Sequence, residues 1–181
     1  RSLEFSAKEV NKIQETMTEP KDESGVIEKN FVISFNDEYG NFQLKGVEPQ
    51  YLEIFKLEFE PGNGRFINKM DMDAINKVIL LDKKTVDVLL QKEKPLANHG
   101  TPYNPISTAQ TIDKPDRTVG TIAMTVTGLE TEQANEDFNN RLKKNMSQSL
   151  DFDPNDTQAL WIRHSQRDYL ETMKIFGGIT I

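Results

Sequence analysis

The side chains in this sequence that could do chemistry fall into a few small groups, each judged by the spacing its chemistry requires. Asp151, Asp153 and Asn155 begin like a calcium loop of the D-x-[DN]-x-[DN]-G type, in which alternate oxygens converge on one cation. The pattern then breaks, because the glycine position holds Asp156 and the bidentate glutamate position holds Ile162. A helix-to-strand turn is the better reading. Asp71 and Asp73 could form a carboxylate pair, yet no nucleophile, acid or base can be named beside them. Acids so placed more often open a helix, where free N–H groups and the dipole favour negative charge. His99 and His164 belong to no H-x-x-x-H or H-E-x-x-H spacing, so neither suggests zinc. No serine sits in G-x-S-x-G, and neither G-x-x-x-x-G-K-[ST] nor G-x-G-x-x-G is present to cradle a phosphate. The chain has no cysteine, which excludes a disulfide scaffold, a thiol nucleophile and a thiolate metal site. No catalytic residue, cofactor or metal is therefore expected, and the chain is not expected to be an enzyme.

Composition narrows the classes further. Lys and Arg total 22 against 29 Asp and Glu, a net charge of −7. Affinity for nucleic acid or anionic lipid in general needs a basic face, so no nucleic-acid partner is expected. At 181 residues the chain can bury a real core as one domain, or as one domain carrying a lobe. No apolar run approaches the roughly 18–20 residues of a spanning helix. Arg1-Ser-Leu-Glu-Phe5 opens into a polar helix with no secretory leader. If the parent is a membrane protein, this is an excised soluble piece.

The elements that must position these groups follow from periodicity and punctuation. Ser6 and Glu9 form an S-x-x-E capping box, with Ala7, Val10, Ile13 and Met17 at helical spacing up to Pro20. Val26–Phe35 and Phe42–Val47 read as a hairpin around the turn Asn36–Asn41. A short helical turn is expected over Gln50–Phe55, then a strand over Lys56–Glu60 and a tight turn at Pro61–Gly64. Val78–Leu81 reads as a buried strand and Lys84–Gln91 as a helix with Val88 and Leu89 inward. Glu93–Pro105 reads as loop and Thr118–Thr127 as a buried strand. Thr131 caps a long helix whose Ala134, Phe138, Leu142 and Met146 recur every four residues. A loop at Asp151–Asp156, a buried strand Ala159–Ile162 and a last helix from Ser165 complete the order. Phe31, Phe35, Phe42, Phe55 and Trp161 are expected in the core. Strands alternating with helices at these lengths predict an α+β fold, a mixed sheet with helices on one face.

Several segments, in order, resemble a known pattern. Gly64-Arg-Phe-Ile-Asn-Lys-Met-Asp71, Lys77-Val-Ile-Leu-Leu81 and Val86–Leu90 are similar to the "G-R-x-[FI]…D…V-x-[VIL]-[IL]-[GD]…[LV]-[LF]" run of MacB/FtsX-type ABC-transporter permeases, in their extracytoplasmic domains. Leu44-Lys-Gly-Val-Glu-Pro-Gln-Tyr51 resembles the family's "G-V-x-P-x-[YF]", and Tyr103-Asn-Pro-Ile-Ser-Thr-Ala-Gln110 its "[IV]-P-[IL]-S-T-A-Q". Asn145–Asp156, Ala159–Ile162 and Lys174–Ile179 resemble the run before the second membrane helix, in a Bacteroidetes-like form. One departure stands out: Lys94-Pro-Leu-Ala97 runs almost directly into His99-Gly-Thr-Pro-Tyr103, where family members carry a further strand pair.

The resemblance implies a porter-like subdomain from residues 1–60 and 101–181, with a small α/β sabre-like lobe, 61–100, inserted in it and incomplete near 96–100. It implies a non-enzymatic periplasmic domain, held at the inner membrane by the full-length protein, that relays ATP-driven motion. ATP and magnesium would bind a separate nucleotide-binding domain. The implied partners are that domain, a second permease copy and, in some members, a membrane-fusion protein; the excised domain is expected to be monomeric. A docking surface would lie on the lobe, with Phe66, Asp71, Asp73, Lys83 and Lys84 as its candidates. The competing readings are a stand-alone secreted α+β binding module and a small hydrolase using Asp71, Asp73 or Asp153.

Overall fold

Two of the predicted helices form where their caps place them. In the computed structural model, which describes residues 3–58, 64–90, 100–113 and 117–165, helix α1 spans Ala7–Thr16. Its capping box is closed by Ser6 N donating to Glu9 Oε2 at 2.8 Å. The longest helix, α6 (Glu132–Leu150), starts at Thr131, whose side chain accepts from Ala134 N at 3.1 Å. Phe138, Leu142 and Met146 of α6 pack with Ile13 and Met17, so the two amphipathic helices share one apolar seam.

The hairpin is longer than its apolar runs suggest. Strand β1 covers Pro20–Phe35 and β2 covers Glu38–Val47. Only Asn36 and Asp37 form the turn, with Asn36 in the left-handed region at φ 54°. Pro20 opens β1 rather than merely ending the helix before it, a strand position that tolerates a missing N–H. Helix α2 (Tyr51–Phe55) follows, and Lys56 ends it in the left-handed region at φ 48°, so the strand expected from Lys56 does not form over the described residues 56–58. Two short helices come next, α3 (Lys69–Asp73) and α4 (Lys83–Leu89). They are followed by β3 (Tyr103–Pro105), α5 (Ile106–Asp113) and β4 (Thr121–Val126).

These strands form one four-stranded mixed sheet in the order β3-β2-β1-β4. β1 is antiparallel to both neighbours, while β2 and β3 run parallel. Helices α1, α5 and α6 lie on one face of it. There Ile27 of β1 meets Ile106 and Ala109 of α5, and Ile122 and Met124 of β4 meet the α1–α6 seam. On the other face Val26 and Val47 pack with Tyr51 of α2 and with Phe66 and Ile67. The described part of the 61–100 segment thus shares a core with the sheet.

Four expectations fail for physical reasons. Val78 and Ile79 are exposed, and only Leu80 bridges to the sheet, through paired bonds with Tyr103 at 2.7 and 2.9 Å. The end of the expected Glu93–Pro105 loop is strand β3, where Pro105 is tolerated because an edge strand pairs on one side only. Ala159–Ile162 forms no strand, and Trp161 is 80% exposed. Of the expected core aromatics, Phe42 is fully buried and Phe31 half-buried, whereas Phe35 and Phe55 lie at the surface. The last helix, Gln91, the Pro61–Asn63 part of the turn and the 96–99 part of the odd junction fall outside the described residues.

Helix α5 approaches the sheet over two glycines. A Cβ on Gly46 would lie well inside van der Waals contact distance of Ala109 Cβ, and one on Gly25 would meet Val119 at 3.0 Å and Ile106 at 3.1 Å. Gly46→Ala is therefore expected to cost about 1–3 kcal/mol in urea unfolding, as overpacking does. Gly120→Ala, at a site with open space around it, is expected to leave the midpoint unchanged.

Candidate functional site

The lobe residues singled out from the sequence separate into an inner and an outer set. Asp71 is the third residue of α3, and it closes a capping box with Asn68: Asp71 N donates to Asn68 Oδ1 at 3.1 Å, and Asn68 N to Asp71 Oδ2 at 3.0 Å. Arg65 adds a two-pronged clamp, with Nη1 at 2.6 Å from Oδ2 and Nη2 at 3.0 Å from Oδ1. Asn76 Nδ2 donates to Oδ1 at 3.2 Å, and Arg65 also reaches Phe66 O at 2.9 Å. One carboxylate thus ties together the chain from Arg65 to Asn76. Its side chain is 1% exposed, and the Arg65 guanidinium, with the Asn68 N–H behind it, holds it well below the usual aspartate range.

Phe66 is equally internal. It packs edge-on to Tyr103 with ring centroids 6.2 Å apart, inside the cluster of Val26, Val47 and Tyr51. Phe66 and Asp71 thus present almost no surface. Asp73, Lys83 and Lys84 are exposed. Asp73 takes an i,i+4 ion pair from Lys69 at 2.9 Å. The two lysines open α4, whose N-cap Asp82 accepts from Thr85 N at 3.3 Å and from the Thr85 hydroxyl. The outer set is a mixed-charge surface; the inner set is a structural knot. Asn68-x-x-Asp71 is itself a readable capping signal, whereas the Arg65 clamp has no signature in the sequence.

A second polar group lies at the end of the sheet and was not foreseen. Where β2 stops, Glu48 takes over the edge of β1: its Oε2 accepts from Gly25 N at 3.0 Å, and its N–H donates to Ser24 Oγ at 3.2 Å. Glu23 is 7% exposed, with a side-chain hydrogen bond to Gln14 and with Oε2 lacking a partner among the described residues. Burial pushes both carboxyls up, and for Glu23 the nearby Glu48 charge adds to it. These groups serve the ladder and the α1 packing.

The remaining candidates resolve locally. Asp153 Oδ1 accepts from Asn155 N at 2.9 Å and Nδ2 at 3.1 Å, the geometry of an Asx turn. His164 Nε2 lies 2.8 Å from Asn139 Oδ1 on α6, and His99 falls outside the described residues. Among the described residues no group of three or more His, Asp and Glu converges on a point where a cation would sit. The recess between α5 and the hairpin, beside Asn104 and Ile112, has room for no more than a water molecule. Among the described residues no helix is long and apolar enough to cross a membrane.

No family model matches the sequence, and no curated protein matches it. Solved structures do match the fold. The extracellular domain of the ABC-type transporter YknZ from Gram-positive bacteria superposes with a TM-score of 0.67 at 14% identity, over 83% of this chain and 87% of that one. The periplasmic region of MacB from Actinobacillus actinomycetemcomitans superposes with a TM-score of 0.68 at 15% identity, over 100% of this chain and 87% of that one. The chain therefore has the α+β fold of these transporter domains.

Two carboxylates give pH-dependent stability of opposite sign. Asp71 titrates below its ordinary 3.8, so its stabilisation is complete above that pH and is lost as pH falls. Asp71→Asn is expected to lower the urea midpoint at pH 7, with the gap to wild type closing below pH 3.8; the exposed Asp73→Asn is expected to change little at either pH. Glu48 titrates above its ordinary 4.5, so its charge opposes folding once pH rises past its raised value. Glu48→Gln keeps an acceptor for Gly25 N and is expected to raise Tm at pH 7, a gain that disappears below pH 4.5.

Proposed function

We propose that the chain is the extracytoplasmic domain of an ABC-transporter permease, on the periplasmic side of the inner membrane, where it relays ATP-driven conformational change. The observation that carries this reading is the likeness of fold to two transporter domains that extends over 83% and 100% of the chain. The ordered sequence resemblance, from Leu44–Tyr51 to the S-T-A-Q stretch, supports it independently. In this reading the chain performs no chemistry of its own: ATP and magnesium bind a nucleotide-binding domain elsewhere in the transporter, alongside a second permease copy. A periplasmic membrane-fusion partner, where one exists, docks on the outer set Asp73, Lys83 and Lys84.

The relay role fits the way the lobe is built. A domain that transmits motion must move as a unit, and the Asp71 knot and the core shared by Phe66, Val26 and Val47 hold the described lobe to the sheet. The test is made in the reconstituted transporter. Replacing residues 1–181 by a flexible linker is expected to keep basal ATP hydrolysis while abolishing transport, and the purified chain alone is expected to hydrolyse no ATP. In the same system Lys83→Glu with Lys84→Glu is expected to weaken capture of the fusion partner. Transport that survives the replacement, or ATP turnover by the clean chain, would overturn the reading.

A further inference from the structure

The outer half of β1 is an open strand edge. On its β4 side, β1 is paired from Pro20 to Val26. From Ile27 to Phe35 it pairs only with β2 among the described residues. The backbone groups that face outward there can be identified. Phe35 and Glu38 close the two-residue turn and are a hydrogen-bonded pair, so the odd-numbered residues of this stretch bond to β2. Gly25 N, which donates to Glu48 at the end of β2, keeps the same parity. Glu28, Asn30, Val32 and Ser34 therefore direct their N–H and C=O groups away from β2, and all four side chains are exposed. Val32, the apolar member of the four, is 69% exposed, and an edge whose N–H and C=O groups face outward is a template for another strand.

The sequence along this edge is self-complementary about one residue. When two copies pair antiparallel with Val32 opposite Val32, Phe31 meets Ile33, Asn30 meets Ser34 and Lys29 meets Phe35. Apolar faces apolar, polar faces polar, the lysine lies against an aromatic ring, and no like charges are opposed. Lys29 already places its ammonium 5.8 Å from the Phe31 ring centroid, so its stem lies along this face. A shift of the pairing by two residues toward the base of the hairpin sets Asn30 against Val32. A shift by one matches outward backbone groups to inward ones and loses the ladder.

We infer that the chain pairs with a second copy of itself through the outer edge of β1, with a twofold axis at Val32. This is an isologous contact of the closed, two-fold kind, in place of the monomer expected from the sequence. It does not depend on the transporter reading, and its test is separate.

The absence of cysteine from the sequence makes the test direct. At the axis the two Cα atoms of a hydrogen-bonded pair lie about 5.5 Å apart, inside the disulfide range. Two copies of residue 30, or of residue 34, lie more than about 13 Å apart across the same pairing. Val32→Cys is expected to form a covalent dimer under mild oxidation at least about tenfold faster than Asn30→Cys or Ser34→Cys. Sedimentation of the unmodified chain over a concentration series is expected to show a reversible dimer, weakened by Val32→Pro, which removes an outward N–H at an edge position that tolerates proline. Equal crosslinking rates at the three positions, or a monomer at every concentration, would overturn the inference.

Discussion

Helix α5 touches the sheet only because Gly25 and Gly46 carry no side chains, and much of the rest is hung on that contact. Ala109 lies too close to Gly46 for a Cβ to fit between them, and Ile106 and Val119 fill the space above Gly25. From that seat α5 reaches the 64–90 segment, where Thr108 Oγ1 donates to Asn76 O at 2.9 Å. It also meets the start of the chain, because Phe5 packs against Ile106 and exchanges backbone bonds with Val119 at 2.8 and 2.7 Å. The short β3 just before α5 then joins the sheet through its parallel pairing with β2. Close packing of helix on sheet is thus the constraint that brings three distant stretches of chain into one body.

The Arg65–Asp71 clamp is tied to α5 as well. Asn76, whose carbonyl takes the Thr108 hydroxyl, also donates to Asp71, so the knot and α5 are linked through one residue. The carboxylate is nearly inaccessible while Arg65 remains 59% exposed. A buried acid with every lone pair occupied contributes order more than reactivity. The residues that looked most like a chemical pair are accordingly split, with Asp71 holding the chain and Asp73 lying on the surface.

What was legible in the sequence is what local physics decides. Capping residues and helical apolar spacing marked α1 and α6 to within a residue or two, apolar runs around turn residues marked the hairpin, and an imperfect alternation marked β4. What failed depended on tertiary partners. Helix α5 carries small and polar residues because it packs over glycines, so Ile106–Asp113 has little apolar periodicity to read. Val78 and Ile79 are apolar yet exposed, and Leu80 alone is drawn in by Tyr103. Phe55 lies at the surface because it stacks on Tyr51, with ring centroids 4.3 Å apart, instead of entering the core. The docking candidates were grouped by proximity in sequence, and only burial could divide Phe66 and Asp71 from Lys83 and Lys84.

The core shared by lobe and sheet lets the domain move as one body, as the proposed relay role requires. A spin label at a single cysteine on α4, Lys84→Cys in a cysteine-free transporter, would measure the distance between the two permease copies directly. A relay requires that this distance change between the nucleotide-free and ATP-bound states. An inter-copy distance that is the same in both states would contradict it.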